Sequence, residues 1–201
     1  MPRASHRQAD EYSRARRAKH NSPYAPGYAV LPNTGGGNNI LYKASSVEAL
    51  ESGRMGITSD CYAGRTISWG RFRVKATGDV FWLFNTHLPH NGCDATDRNT
   101  HARIARALVD KRNELGAGGT PTIVTGDCNP FASNGASEGT FESNLDERGI
   151  SRVYMGTGQF GGYGGLDKIF ASDGDWTVET AGDHGTGASD HPAISAELRL
   201  N

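Results

Sequence analysis

From Tyr28 onward the apolar residues come in short runs separated by glycine, proline and small polar residues, and helical spacing is sustained once. Tyr28-Ala29-Val30-Leu31, Ile40-Leu41-Tyr42 and Val47 to Leu50 each read as a strand, with Pro32 to Asn39 a glycine-rich turn between the first two. The clearest hairpin joins Arg65–Lys75 to Val80–His87 through Ala76-Thr77-Gly78-Asp79. Pairing Lys75 with Val80 sets a register in which opposed positions sum to 155, Ser68 facing His87 and Arg65 facing His90. Thr100 to Leu115 has the 3.6-residue period of a helix, with Ile104, Leu108 and Leu115 on one face and Gly116, Gly118 and Gly119 ending it. The next strand runs through Ile123 and Val124, with Gly126 expected to let the backbone turn. Asp127 and Asn129, two apart in extended backbone, are expected to point the same way, and Pro130 closes the strand. Phe131 to Arg148 reads as loops and a short helix, and Gly156 to Gly165, with six glycines, as a loop. Leu166–Ala171, Trp176–Val178 and Ala193–Leu200 supply the last strands.

Length and composition narrow this to one β-rich α/β domain spanning 1–201, because 201 residues bury one substantial core and 27 glycines serve many turns. No apolar run approaches bilayer length, and no apolar stretch follows Met1-Pro2-Arg3-Ala4-Ser5, so no secretion signal is visible. A net charge of −1 argues against generic polyanion binding, so any nucleic-acid contact must be local. Residues 1–27 form a basic helical segment. Its first twenty residues hold Arg3, Arg7, Arg14, Arg16, Arg17 and Lys19 against Asp10 and Glu11, a balance of 6 − 2 = +4. A solvated helix face is the first reading and a phosphate-binding arm the second.

The candidate chemistry lies at strand ends. Asn85-Thr86-His87, Gly126-Asp127-Cys128-Asn129-Pro130, Leu166-Asp167-Lys168-Ile169-Phe170 and Ser189-Asp190-His191 follow one another in order. Together they resemble the endonuclease/exonuclease/phosphatase superfamily, the DNase-I-like fold, from about Asn38 to Leu198. The resemblance implies a four-layer α-β-β-α sandwich and a phosphoesterase that uses a divalent metal, Mg2+ first, with Mn2+ or Ca2+ as alternatives. Phosphodiester hydrolysis needs an activated water, neutralised phosphate oxygens and a stabilised leaving oxygen, which carboxylates, histidines and a hard cation supply.

By the same resemblance, Asp190 is the first metal ligand, with Asp127 and Asn129 as further metal-site residues. Asp127 orients or deprotonates the attacking water and Asn129 binds phosphate. His87 and His191 flank the scissile phosphate, and Asp167 orients His191 and raises its basicity. Asn85 and Arg65 hold the phosphate, Arg65 through its planar fork of donors. Relatives open with one strand carrying an Asn and a second ending in Gln-Glu, whose Glu is their principal metal ligand. Nothing before Tyr28 matches either, so the fold is expected to be incomplete at its N-terminus. His90, Asp183 and His184 have no motif role and read as loop residues.

The resemblance favours a nuclease acting on DNA or RNA. A phosphomonoesterase or sphingomyelinase-like phosphodiesterase of the same fold stays open, as does a catalytically impaired fragment or binding module lacking the metal-ligand Glu. The 155 register brings Cys61 near Cys93, leaving Cys128 as a buried small hydrophobe. A Cys61–Cys93 disulfide would imply an extracellular home, and three reduced, inert thiols are the other reading.

Overall fold

A computed structural model describes residues 27–35, 37–57, 65–90, 99–129, 138–157, 159–160, 163–185, 189 and 191–201, with backbone alone at 159–160 and 163–164. Residues 1–26 of the segment expected to be a basic helix, together with Cys61, Cys93, Pro130 and Asp190, therefore lie outside the described residues. No helix among the described residues is long and apolar enough to cross a membrane.

The strands, in chain order, are β1 (Tyr28–Val30), β2 (Leu41–Lys43), β3 (Val47–Gly56), β4 (Thr66–Val74), β5 (Val80–His87), β6 (Thr122–Asp127), β7 (Ile150–Met155), β8 (Gln159–Phe160), β9 (Tyr163–Gly164), β10 (Asp167–Ser172), β11 (Trp176–Asp183) and β12 (Ile194–Leu200). Among the described residues the helices are α1 (Thr100–Glu114) and α2 (Phe141–Asp146). Six strands make the central sheet in the order β3-β4-β5-β6-β10-β7. Every neighbouring pair is antiparallel except β5 and β6, which run parallel. That pair needs a crossover, and α1 lies within it.

Alternation along the strands divides the sheet into two faces. Ile67, Trp82, Phe84, Val124 and Phe170 pack with Ile104, Leu108, Phe141 and Leu145 of the helices in one core. Phe72, Phe81 and Leu83 point to the opposite face and meet Leu31, Ile40 and Tyr42 around the β1–β2 ribbon. The β11–β12 ribbon rests on β7 and β10. The expected α/β class is therefore present, built on one large six-stranded sheet with helices on one face and β-ribbons on the other.

Three expectations are corrected. The hairpin register sums to 153, not 155, so Ser68 pairs with Asn85 and Arg73 with Val80. The turn is displaced because Gly78, at φ +85°, donates its amide to Val74 O, and Val74 N bonds Asp79 O, leaving Lys75 inside the loop. A slip of two keeps each side chain on its expected face. Second, Gly126 is not a turn residue: it is an interior position of β6, paired with Thr86 and Lys168. A Cβ there would lie 2.3 Å from Thr86 O, so glycine is required for close approach of the parallel strands. Third, β3 extends to Gly56 and β11 to Asp183, and β7 forms where no strand is expected. In β3 the unforeseen half contains Gly53, on which the Trp69 ring lies, so that a Cβ would approach Trp69 Cζ2 to 2.4 Å.

Gly126→Ala is expected to destabilise the fold by about 1–3 kcal/mol through this backbone clash. Gly182→Ala, with nothing within 4 Å of its Cβ position, serves as the near-neutral strand control. Urea midpoints measure both, and equal midpoints would refute the role given to Gly126.

Candidate active site

Register places the chemistry in one row. His87 is opposite Asp127 across the parallel pair, and Asp127 is opposite Asp167 across the next, antiparallel pair. Two residues further in, Asn85, Thr125 and Ile169 form the next row on the same face. His191 arrives from outside the central sheet, on the segment preceding β12. Asn85, His87, Asp127, Asp167 and His191 thus line a single cleft of about 710 Å³.

Two carboxylate–imidazole pairs stand in this cleft. His191 Nδ1 lies 2.7 Å from Asp167 Oδ2. An ionised Asp167 accepts only, so Nδ1 carries the proton it donates. His87 Nε2 lies 3.2 Å from Asp127 Oδ2. Asp127 also accepts through Oδ1 from the Asn129 amide at 2.9 Å, an Asx turn that fixes its carboxylate plane.

Burial lowers the His87 pKa below the ordinary histidine value; Asp127 and Asp167 oppose this, while Arg65 and His191 add to it. His87 is therefore largely neutral near pH 7, the state that accepts a proton. Burial raises the Asp167 carboxyl above its usual value, against the hydrogen bond from His191. Burial also pushes the Cys128 thiol up to about 12, which makes it inert as a nucleophile.

Not every expected residue joins the cleft. Asn129 takes a left-handed backbone, φ +31°, so its side chain does not follow that of Asp127. Its Nδ2 donates to Leu88 O at 2.9 Å, and it lines a neighbouring hollow with Thr140, Glu142 and Leu166. Extended backbone ends at Asp127, which is why the two-residue periodicity fails there. Arg65 donates to His87 O at 2.9 Å and Leu88 O at 2.6 Å, bracing the end of β5. Asn85 accepts from Thr125 Oγ1 at 3.0 Å, which orients its amide.

Sequence reasoning missed Thr125, although it lies two residues before Asp127 on the same strand face. Asn38 was missed as well. It is buried, lines the cleft and donates to Thr66 O at 2.5 Å. The His87–Asp127 pair has no local signal, because the partners meet only through the parallel register.

Asp127, Asp167 and His191 can each offer a ligand atom, and all three atoms lie within 4.8 Å of one another. Two opposed carboxylates offer the hard oxygen donors that a cation such as Mg2+ takes, and bringing them together is electrostatically costly without a positive charge nearby. The donor set fits a divalent cation.

The same architecture recurs in solved structures. A mannosyl-6-phosphatase from Bacteroides thetaiotaomicron superposes with a TM-score of 0.70 at 20% identity, the match covering 96% of this chain and 88% of that one. An endonuclease/exonuclease/phosphatase from Bacteroides vulgatus gives 0.68 at 20% identity over 88% of this chain and 77% of that one. TDP2 from D. rerio, complexed with single strand DNA product, gives 0.62 at 16% identity over 95% and 81%. No family model and no curated protein matches the sequence. The chain has the DNase-I-like fold of the endonuclease/exonuclease/phosphatase proteins.

The signs of the His87 shift give a test. Because Asp127 raises its pKa and Arg65 lowers it, Asp127→Asn should depress the His87 pKa further and Arg65→Gln should raise it. The fold favours neutral His87, so this group's contribution to stability is lost as pH falls below the ordinary histidine range. Proton NMR titration of metal-free protein checks both variants; shifts of reversed sign would contradict the arrangement of charges.

Proposed function

We propose that the chain hydrolyses phosphoesters as a divalent-metal-dependent phosphodiesterase, with DNA or RNA as the substrate class. The observation that carries this reading is the pair of carboxylate–imidazole couples facing one cleft, His87–Asp127 and His191–Asp167. Asp127, orientated by the Asn129 amide and backed by neutral His87, accepts the proton of a water that attacks phosphorus. As the new P–O bond forms, the P–O bond to the leaving oxygen breaks. His191, its cationic form stabilised by Asp167, donates a proton to that oxygen through Nε2. Asn85, which lines the cleft, holds a non-bridging oxygen, while Arg65 keeps the His87 end of β5 in position.

Asp127 and Asp167, with Asp190 of the Ser-Asp-His motif, are the ligands proposed for Mg2+, Mn2+ or Ca2+. When bound, the ion neutralises charge on the phosphate oxygens and on the leaving oxygen. A nucleic-acid substrate is supported by the likeness in fold to TDP2, whose structure holds a DNA product. A sugar-phosphate monoester is the second reading, favoured by the likeness to the mannosyl-6-phosphatase.

The test is hydrolysis of a single-stranded oligonucleotide, bis(p-nitrophenyl) phosphate and mannose 6-phosphate, with Mg2+ and after exhaustive chelation. Chelation should abolish turnover, and the diesters should be the better substrates. Preference for mannose 6-phosphate would select the second reading. The absence of stoichiometric Mg2+ or Mn2+ binding by calorimetry, together with no turnover, would leave a binding module.

Within the first reading, His191→Ala should lower the rate by roughly 10²–10⁴-fold, and by more than His90→Ala. Adding Asp167→Asn to His191→Ala should cost little more, because residues acting as one unit are non-additive. Multiplicative losses in the double variant would break the proposed pairing.

A further inference from the structure

His191 and Asp167 are brought together from different parts of the fold. Asp167 opens β10 in the central sheet, whereas His191 lies on the segment that leads into β12 of the ribbon, and their contact at 2.7 Å joins the two. Such a contact depends on whatever holds the ribbon against the sheet at that end. Resting on the phosphodiesterase reading, we propose that Asp183 is a positioning residue that brackets the ribbon to β7 and β10 and thereby sets His191 against Asp167.

Asp183 is the last residue of β11 and pairs with Ile194, the first residue of β12. Just beyond that pair, His184 N donates to Ala193 O at 2.7 Å and Ala193 N to Gly185 O at 2.9 Å. The ribbon therefore stays closed up to Ala193, two residues from His191, with Pro192 between them restricting the backbone. On the other side, the Asp183 carboxylate takes three donors from the end of β7. Tyr154 donates its hydroxyl at 3.2 Å, and Thr157 donates its amide at 2.9 Å and its hydroxyl as well.

Thr157 is one residue from Gly156, whose amide donates to Asp167 O at 3.0 Å. A Cβ at Gly156 would lie 3.0 Å from Ile194 Cγ2, 3.5 Å from Asp183 Oδ1 and 3.6 Å from Asp167 O. Ribbon, β7 and β10 thus meet at one residue without a side chain. Asp183 does not line the catalytic cleft, so it acts through the residues it holds. The donors from Thr157 hold its carboxyl below the usual aspartate value, as expected of an ionised bracket.

Asp183→Ala, Asp183→Asn and Gly156→Ala test this, with bis(p-nitrophenyl) phosphate as substrate. Displacement of a catalytic group by a fraction of an ångström to an ångström costs on the order of 10- to 100-fold, so Asp183→Ala should lower kcat by about that factor with KM little changed. Asp183→Asn keeps an acceptor for Thr157 and should recover part of the loss. Gly156→Ala breaks no side-chain hydrogen bond but wedges the junction, and should lower kcat in the same way. In an Asp167→Asn background the Asp183→Ala penalty should largely vanish.

A readout independent of turnover is the slowly exchanging imidazole N–H proton of His191 in metal-free protein, followed by NMR. It should be present in the parent protein and lost in Asp183→Ala. Retention of that signal and of kcat in Asp183→Ala would overturn the proposal, as would full multiplicative loss in the double variant. A parent protein that shows the signal but no hydrolysis removes the catalytic reading alone. The bracket is then judged on the signal: its loss in Asp183→Ala supports it, and its retention refutes it.

Discussion

The candidate site depends on the register of the parallel β5–β6 pair. A shift of one residue would turn His87 or Asp127 to the helix-covered face, and a shift of two would separate them along the strands. The register is held on both sides. Leu88 N bonds Asp127 O beyond the last pair, Trp82 N bonds Pro121 O before the first, and Gly126 lets the two backbones close between them. Because β10 continues the same row with Asp167, one packing decision places an imidazole and two carboxylates side by side.

Such a row is electrostatically unfavourable in isolation, since two carboxylates converge at a partly buried sheet end. Each is offset by an imidazole, and the second imidazole has to come from outside the sheet. The two-sided construction follows from this. The central sheet supplies His87, Asp127 and Asp167, the segment leading into β12 supplies His191, and all four line one cleft. The buried side of the sheet is largely apolar, with Trp82, Phe84 and Phe170 packed under the helices. The polar row therefore rides on a well-packed support.

Much of this is legible in the sequence, for a simple reason. His87, Asp127 and Asp167 lie at or beside the termini of apolar strand segments, where period-two alternation predicts side-chain direction well. The strands β5 and β10 and the helix α1 were anticipated within a residue or two at each boundary. Failures occur where local pattern stops determining geometry. Asn129 leaves the extended region in an Asx turn, so a periodicity valid through Asp127 gives the wrong direction for it. The hairpin slipped by two because the Gly78 turn takes in Lys75, which bonds Ser46 O instead of joining the β4–β5 ladder. The edge strand β7 escaped notice because it is only partly buried, with Arg152 in mid-strand bound to Glu142. The His87–Asp127 pair and the Asp183 junction join residues distant in sequence, and no single-segment pattern encodes them.

The most direct measurement is a crystal structure grown or soaked with Mn2+ and inorganic phosphate. The account predicts an anomalous Mn2+ peak beside Asp127 and Asp167, with phosphate held between the His87 and His191 imidazoles. An empty cleft, with phosphate and Mn2+ bound elsewhere or not at all, would contradict it.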